Sequence, residues 1–385
     1  MKSGKYRFVF YVHDGAGLGH LTRITRVAEK LESELVECLI VSGFREMSFI
    51  VPSKIKYCKL PSRETMIEER AQYWGKRAFI DIDIPEVYQW RKRDMEYIFN
   101  EYKPDAFFID YYPTGKRGEL KQIISGHTET AFYYIHRGII GCDWSIKTQV
   151  LTEENVYYLE NYFEKLFLMN DREIFDFSKE YHLPRKVKEK CIIAGYTKKT
   201  IPAAFKRKIR KMRGLKPGEV WAVCTAGGGK LGEKFTEEVS CLPDLFPQVK
   251  FDIVLGPRSS LEELKQGADN CCLHKTFEKL PELIAAADIC ITTGGYNTIV
   301  EALSNNTYLI ISPSQLEPED EQYFHALKLK EKLGYDPLVR DEKDYSVKIR
   351  SFLDTNTEVD YSNIDMNGLE VIKQCIYDKF KIGVL

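Results

Sequence analysis

The stretch FVFYVHDGAGLGHLTRITRVAEKL, residues 8–31, decides how the chain is interpreted. A short apolar run leads into three alternating glycines, Gly15, Gly17 and Gly19. His20 follows, and then a segment whose apolar residues recur at helical spacing. This order predicts a strand, a tight turn and a helix. Such a turn is compatible with a bound dinucleotide, a bound phosphate or a catalytic side chain.

Length and composition place the chain among ordinary globular proteins. At roughly 150 residues per domain, its 385 residues predict two domains, with three as the alternative. Hydrophobic residues at 44% and charged residues at 29% are typical of a soluble enzyme. A formal net charge of −1 gives no global field that would attract nucleic acid. No apolar run approaches the roughly 20 residues that span a membrane, and the N-terminus lacks the pattern of a signal peptide.

The ten cysteines are scattered along the sequence, and no two of them form a CxxC pair. Several lie within predicted strands, where a structural disulfide framework is not expected. The pattern favours reduced thiols and a cytoplasmic location.

Strands and helices are predicted to alternate in the first half of the chain. The strands fall at 6–13, 36–41, 106–110, 131–136 and 165–169, and the helices at 20–32, 86–102 and 153–164. This alternation indicates a parallel sheet with helices on both faces. The pattern breaks at 194–219, a cationic segment with two prolines that we interpret as a linker followed by a solvated helix. The alternative for that segment is a basic patch that binds anionic lipid or nucleic acid.

The alternation restarts in the second half. Strands are predicted at 220–229, 249–256, 287–295 and 307–313, helices at 279–287, 296–304 and 319–333, and two more helices within 344–385. The fold class is therefore α/β, with two doubly wound Rossmann-like domains and a ligand site in the cleft between them. The predicted domains are 1–195 and 219–350, joined by a linker at 196–218, with helices at 351–385 that pack back on the first domain.

The first glycine turn does not match the dinucleotide fingerprint. In GxGxxG the third glycine lies further along than Gly19, and an acidic residue ends the second strand, where this chain has Ser42. A Walker loop also fails, because Lys230 is followed by Leu231 rather than Ser or Thr. A dehydrogenase is thus the least favoured reading.

Two glycine turns in the second half suit a phosphate instead. They are Thr225-Ala226-Gly227-Gly228-Gly229 and Thr292-Thr293-Gly294-Gly295. Glycine lets backbone amides approach a ligand, and a helix N-terminus adds a positive dipole end. In the second turn, Asn297 or Thr298 is expected to cap the next helix, and Glu301 lies one turn inside it. The pattern predicts a diphosphate on the amides, with ribose hydroxyls donating to Glu301.

These motifs resemble those of the family 28 glycosyltransferases of GT-B fold. GAGLGHLTR is similar to the N-terminal glycine loop of the family, whose histidine matches His20. The segment KTFEKLPELIAAADICITTGGYNTIVEALSNNTYLIISP is similar to its donor-nucleotide segment, and EPEDEQYFHALKL to its sugar-contacting motif. The family includes the lipid-precursor N-acetylglucosaminyltransferase of peptidoglycan synthesis. KPDAFFIDYYPTG is most similar to a less characterised branch of predicted glycosyltransferases.

The resemblance implies a donor site residue by residue. It places the base near Phe277, the ribose on Glu301 and the diphosphate on Gly294, Gly295 and Tyr296. Glu321 and Gln322 match two glutamines that hold sugar hydroxyls. Glu321 is a carboxylate where the family has an amide, and His325 stands where an asparagine is common. These departures leave the identity of the donor sugar open.

The resemblance also implies the reaction. It is transfer of a hexosyl or N-acetylhexosaminyl group from a nucleotide sugar, with a UDP-sugar as the expected donor, to an acceptor hydroxyl or amine. Inversion at the anomeric carbon and independence of metal or other cofactor are expected. Asp81-Ile82-Asp83 spells the DxD motif of metal-dependent transferases, but we assign it no metal because this fold needs none.

Several residues of the first half are candidates for the acceptor side. His20 suits a general base, with Asp110 or Asp14 to orient or replace it. A helix-capping or packing histidine is the alternative for His20. His136, with Arg137, is a third candidate, and a satisfied strand-end histidine is its alternative. Gly17 and Gly19 complete the acceptor-side set.

Two other functions stay open. One is a nucleotide-sugar epimerase or hydrolase, which consumes the donor without an acceptor. The other is a non-catalytic nucleotide-sugar-binding protein. The acceptor could be a lipid-linked sugar, a natural product or a small metabolite. No nucleic-acid partner is expected, and a peripheral membrane contact is left open.

Overall fold

The computed structural model describes residues 4–14, 18–44, 46–62, 84–227, 233–256, 268–277, 279–317, 320–355 and 359–383. They form two parallel sheets covered by helices. The first sheet has the strand order β3-β2-β1-β4-β5-β6-β7. Its strands are β1 Tyr6–Val12, β2 Val36–Ser42, β3 Lys56–Lys59, β4 Ala106–Asp110, β5 Ala131–His136, β6 Phe163–Leu168 and β7 Cys191–Ile193.

The helices of this half follow its strands. They are α1 Gly19–Leu31, α2 Met47–Ile50, α3 Ile84–Tyr102, α4 Lys121–Gly126, α5 Asp143–Gln149, α6 Glu153–Tyr162, α7 Phe177–Glu180 and α8 Arg185–Lys188, with a 3-10 turn at Lys116–Gly118. The five residues Phe8 to Val12 of β1 are all buried, as expected of a strand covered on both faces.

The second sheet has the order β10-β9-β8-β11-β12. Its strands are β8 Val220–Thr225, β9 Val249–Val254, β10 Cys271–His274, β11 Ile289–Thr292 and β12 Tyr308–Ile311. The helices are α9 Ala203–Met212 before the sheet, then α10 Glu233–Ser240, α11 Leu242–Leu245, α12 Leu280–Ala286, α13 Tyr296–Leu303, α14 Glu321–Leu333, α15 Glu342–Thr355 and α16 Gly368–Phe380. The predicted α/β class with two doubly wound halves is confirmed.

Several predicted boundaries need correction. The helix predicted to reach residue 164 ends at Tyr162, because Phe163 already belongs to β6 and is buried there. The strands predicted at 220–229 and 287–295 end at Thr225 and Thr292, where the threonine side chains begin the turns. The sequence pattern missed β3, β7 and β10, which are short strands with few buried residues.

The cationic segment is fixed to the second half and is more than a solvated helix. In α9, Arg210 donates to the Ala286 carbonyl and to Asp288, each at 3.0 Å. Just after α9, Arg213 donates to the buried carboxylate of Asp252. Arg207, Lys208 and Lys211 are exposed.

The end of the chain contacts both halves. Tyr345 and Ile349 of α15 are buried in the core of the second sheet. The last helix, α16, packs on α1, and Tyr377 donates its hydroxyl proton to the Leu31 carbonyl at 3.0 Å. None of the helices in the described ranges combines the length and apolar character needed to cross a bilayer.

Each sheet has a point where the strand order reverses, between β1 and β4 in the first and between β8 and β11 in the second. Loops at the carboxyl ends of such strand pairs diverge and leave a crevice, where ligands of this fold class bind. At these two crevices, Asp110 and Thr225 end their strands, Gly294 lies in the turn after β11, and His20 is in the first turn of α1.

Candidate functional site

The two crevices meet at a contact between α1 and α13. Asn297, the second residue of α13, donates a side-chain N–H to the carbonyl of Gly19, the first residue of α1, at 3.1 Å. The N-termini of both helices therefore converge. A helix N-terminus carries unpaired N–H groups and a partial positive charge. Two of them together favour an anion at this position.

His20 and Asp110 form a buried pair beside this contact. The Nδ1 atom of His20 is 2.6 Å from Oδ2 of Asp110, and Asp110 is 1% exposed. Burial acts to raise the pKa of Asp110, but His20 and Arg23 outweigh burial and hold this pKa well below its ordinary value. The carboxylate is thus ionised and can only accept, so Nδ1 carries the proton. The other nitrogen, Nε2, keeps its lone pair.

His20 retains a path to the cleft. Its side chain is 11% exposed, and its polar contacts with Asp110 and Arg23 are both at Nδ1 rather than at Nε2. Burial is the largest influence on the pKa of His20, which is lowered despite the neighbouring Asp110. A neutral imidazole with a free nitrogen is the form of histidine that accepts a proton.

Aromatic rings enclose this pair. His13 stacks on Tyr111 with ring centroids 5.2 Å apart, and His20 meets Tyr111 edge-on at 5.1 Å. Tyr111 has a φ of 68°, a strained left-handed conformation for a bulky residue. Burial and His20 lower the pKa of His13 to about 2, so His13 is neutral as well.

Asp14 lies apart from His20. It accepts from the buried guanidinium of Arg91 at 3.1 and 3.3 Å, and Arg91 also donates to Glu119 and to the hydroxyl of Tyr11. The structure therefore brings His20 together with Asp110 and not with Asp14.

His136 is buried and points into the core of the first half. Its Nδ1 accepts from the amide of Gly138 at 3.0 Å, and its Nε2 has no partner among the described residues. Burial and then Arg137 lower the pKa of His136 well below its ordinary value. Arg137 crosses the cleft instead, where it pairs with Glu321 and lies 5.6 Å from the ring centroid of Tyr111.

The two threonine-glycine turns of the second half share one geometry. The Thr225 hydroxyl accepts from the amide of Gly227 at 3.1 Å, and the Thr292 hydroxyl accepts from the amide of Gly294 at 3.3 Å. Gly227 has a φ of +68°, which explains the glycine there. Gly228 and Gly229, like Gly17, lie outside the described residues.

Gly294 and Gly295 differ in what surrounds them. Gly294 has a φ of +95°, and an added Cβ would lie 2.8 Å from a methyl group of Ile311. Packing therefore requires this glycine. An added Cβ on Gly295 would meet nothing within 4 Å. Gly295 faces open space at the N-terminus of α13, where a ligand could approach its backbone.

Asn297 and Thr298 do not cap α13 as predicted. Gly295 occupies the N-cap, and no side chain bonds there. Asn297 is drawn to Gly19 of the other half, which explains the difference. Thr298 is buried within the first turn of α13.

Glu301 is paired across the two halves. Its carboxylate accepts from Arg26 of α1, and both side chains are largely buried. Burial raises the pKa of Glu301, and Arg26 partly offsets this. Tyr296 also bridges the halves, because its hydroxyl donates to the Met169 carbonyl at 2.6 Å.

The remaining donor-side residues lie around this contact. Phe277 is half-buried and meets His274 edge-on, with centroids 5.3 Å apart. Gln322 accepts from the Ser314 amide at 3.2 Å, and Asp320 caps α14. His325 is buried beside the Tyr196 hydroxyl, 2.8 Å from its Nε2.

A cavity of about 650 Å³ opens at the carboxyl edge of β11 and β12. It is lined by Thr293 and by the loop after β12, and it extends to α10 and the start of α15. The lining residues are Lys234, Phe235, Glu238, Thr293, Ser312–Leu316 and Val339–Lys343. Ser314, the partner of Gln322, connects this cavity to the predicted sugar residues.

No group of three or more His, Cys, Asp or Glu side chains is arranged to hold a metal ion within the ranges that the structure describes. Asp81-Ile82-Asp83 lies outside those ranges.

Sequence reasoning missed the arginines of α1. Arg23 follows His20 by three residues, so helical geometry places the two side chains next to each other, and Arg26 follows Arg23 by three more. Arg23 is completely buried. A charged residue one turn from a candidate base was the signal that would have identified it.

Comparisons with known proteins agree with the observed fold and give a family match for the second half. Residues 222–350 match the model of the glycosyltransferase family 28 C-terminal domain. The UDP-N-acetylglucosamine--N-acetylmuramyl-(pentapeptide) pyrophosphoryl-undecaprenol N-acetylglucosamine transferase of Sulfurihydrogenibium sp. (strain YO3AOP1) is 25% identical over 134 residues, 35% of this chain and 37% of that relative. The match thus spans little more than a third of the relative's length.

Solved structures extend the likeness of fold to the whole chain. Spinosyn forosaminyltransferase SpnP is 12% identical with a TM-score of 0.62 and covers 97% of this chain and 95% of its own. The UDP-GlcNAc 2-epimerase of Methanocaldococcus jannaschii is 11% identical with a TM-score of 0.60 and covers 96% and 99%. The chain therefore has the GT-B fold, and its second half carries a family 28 glycosyltransferase C-terminal domain.

Proposed function

We propose that this chain transfers a hexosyl or N-acetylhexosaminyl group from a nucleotide sugar, with a UDP-sugar as the donor, to a hydroxyl or amine of an acceptor. The observation that carries the proposal is the location of the free Nε2 of His20 beside the converging N-termini of α1 and α13. Glycosyl transfer requires a proton acceptor for the attacking group and an anion-attracting site for the leaving diphosphate, both within one cleft. The family of the second half supports this reading.

The diphosphate of the donor would lie at the N-terminus of α13. Gly295 leaves room for a close approach of its backbone, and the dipoles of both helices stabilise negative charge there. The ribose would donate to Glu301, which shares its carboxylate with Arg26. The sugar would reach Glu321 and Gln322, and the base would lie near Phe277.

In the reaction, the acceptor oxygen or nitrogen attacks the anomeric carbon and forms the new bond. The bond from that carbon to the diphosphate oxygen breaks, and the nucleoside diphosphate leaves with the electron pair. His20 takes the acceptor proton on Nε2, and Asp110 stabilises the resulting imidazolium. A single displacement of this kind inverts the anomeric centre.

Independence of metal is part of the proposal. The N-termini of α1 and α13 supply positive charge at the leaving group without a metal cation. Turnover that persists in excess EDTA would agree with this, and loss of turnover that Mg²⁺ restores would contradict it.

An epimerase or hydrolase is the second candidate, because an epimerase is among the proteins that share the fold. The two are separated by incubating the donor alone. A transferase leaves the nucleotide sugar largely intact until an acceptor is added, whereas an epimerase or hydrolase converts it at once.

The acceptor belongs to one of three classes: a lipid-linked sugar, a natural product or a small metabolite.

We place the reaction in the cytoplasm, which is supported by ten cysteines that are all free thiols in the structure. A peripheral contact with the membrane is compatible with the exposed cationic face of α9. Fractionation of cells that express the chain tests both points.

Calorimetric titration with UDP, TDP and GDP tests the donor site. We expect wild-type protein to bind UDP, and Glu301→Gln to weaken binding about tenfold, since it removes a hydrogen bond to a charged acceptor. Gln preserves the shape of Glu and one acceptor for Arg26, so the fold should persist. Glu331→Gln, an exposed position on α14, is the matched control and should bind as wild type does. Absence of any nucleotide binding to wild-type protein would overturn the proposal.

A further inference from the structure

Arg23 is a fully buried cation that the reaction described above does not use. It lies on α1 one turn after His20, and its Nη2 donates to Oδ1 of Asp110 at 2.6 Å. The two oxygens of Asp110 therefore have different partners. Oδ1 faces Arg23, while Oδ2 faces the imidazole of His20 and the backbone amide of His13. A carboxylate held at both ends cannot rotate away from His20.

Arg23 also reaches the donor half of the molecule. Its guanidinium carbon lies 5.6 Å from the ring centroid of Tyr296, the first residue of α13. Its Nε is buried and has no partner among the described residues. One side chain therefore contacts both the proton-accepting pair and the residue that directly follows the predicted diphosphate turn.

We propose that Arg23 is a positioning residue for the transfer reaction: it clamps Asp110 so that Nε2 of His20 faces the cleft, and it places a fixed positive charge beside the imidazole. The inference rests on the proposed function and deepens it. It assigns to the arginine of the GLGHLTR motif a task that acts through Asp110 and His20 rather than on the substrate.

The physical reason is the balance of charge around one imidazole. Burial, the largest influence, favours the neutral form of His20, whereas the ionised Asp110 favours the imidazolium form, which cannot accept a proton. Arg23, 3.2 Å from Nδ1 of His20, opposes that charge. The other groups that face His20 are His13 after β1, Tyr111 after β4 and Arg137 after β5. From α13, the neutral Asn297 contacts the neighbouring Gly19. Arg137 acts in the same sense as Arg23.

The test compares Arg23→Met with Arg23→Lys. In Arg23→Met the opposing charge is gone, so the imidazole of His20 should protonate at higher pH, by about one pH unit or more. NMR titration of the His20 ring measures this directly and needs no substrate. The acid limb of kcat/KM should move upward by the same amount, because the neutral base is lost earlier. Lys30→Met, in the last turn of α1 and paired with exposed Glu370, is the matched control and should leave both midpoints unchanged.

Arg23→Lys retains the positive charge but loses the planar guanidinium group that donates to Asp110. It should keep the His20 midpoint within about half a pH unit of wild type, since charge at this distance sets the shift. It should lower kcat at least tenfold, because Asp110 is held less firmly. If Arg23→Met does not fold, Arg23→Lys decides the matter, and an unchanged kcat would overturn the inference.

An unchanged His20 midpoint in folded Arg23→Met would also overturn it, as would a loss of rate in Arg23→Met with the same pH dependence as wild type. UDP titration of each variant separates this result from failure of the proposed function. Normal UDP binding with an unmoved midpoint rejects only the role of Arg23, whereas wild-type protein that binds no UDP rejects the function.

Discussion

At the scale of single residues, the chemistry of His20 depends on which atoms of its neighbours are occupied. Asp110 takes the proton-bearing Nδ1 and is itself held by Arg23, which leaves Nε2 as the free position. Asp14, which is nearer to His20 in sequence, pairs with Arg91 instead. Each aspartate thus pairs with a buried arginine, but only Asp110 also contacts His20.

His20→Ala should lower kcat by about 10²- to 10⁴-fold, the range for loss of a general base, while UDP binding stays within about threefold of wild type. Steady-state rates and calorimetry on the same preparation measure the two effects. His182→Ala is the matched control, because that side chain is 75% exposed and distant in sequence from the site. Turnover of His20→Ala at the wild-type rate would exclude His20 as the base.

At the scale of elements, the glycine turns combine packing with access. Gly294 is fixed by its positive φ and by Ile311, whereas Gly295 faces open space one residue later. The sequence does not distinguish the two glycines, and the difference in their surroundings is visible only in the structure.

The pair gives a matched test. Gly295→Ala should fold normally and lose UDP affinity, because the added methyl group occupies the space into which a diphosphate would fit. Gly294→Ala should destabilise the protein by about 1–3 kcal/mol, since alanine resists a positive φ. Thermal melting and UDP titration of both variants measure this. UDP affinity of Gly295→Ala equal to that of wild type would exclude close backbone approach at this turn.

Much of the element pattern could be predicted from sequence, and the reason is physical. Buried parallel strands such as β1 and β4 are continuous apolar runs, and the loops after them hold His20 and Asp110 together through the topology of the sheet. The edge strands β3 and β10 carry few buried residues, so their periodicity is weak. Their existence depends on the neighbouring strand.

The pairing of Glu301 with Arg26, and of Glu321 with Arg137, could not be predicted in this way. Each pair joins residues of different halves, and their meeting depends on how the two sheets are placed. The same placement draws Asn297 away from the expected helix cap. Local rules failed where the two halves touch.

At the scale of the whole molecule, buried neutral histidines link stability to pH. Burial lowers the pKa of His13 to about 2 and that of His325 to about 3. Their unfolded values lie near 6.5, so the unfolded chain binds more protons as the pH falls below 6.5. Stability should therefore decrease from pH 7 toward pH 4, by about 1.4 kcal/mol per pH unit for each such group.

His325→Gln isolates one of these groups. The raised pKa values of Glu301 and Glu321 act in the opposite direction, so the informative quantity is the difference from wild type. Denaturant unfolding at pH 7 and pH 5 should show a smaller loss of stability in His325→Gln than in wild-type protein. Equal losses in both proteins would mean that His325 is already protonated in the folded state.

A crystal structure of the protein with UDP tests most directly whether the donor nucleotide binds in the cleft beside His20. We predict that the diphosphate lies at the amides of Gly295 and Tyr296, the ribose on Glu301 and the uracil near Phe277. Nε2 of His20 should face the same cavity. A uridine diphosphate bound elsewhere on the molecule, or a well-ordered cleft that stays empty at saturating UDP, would contradict it.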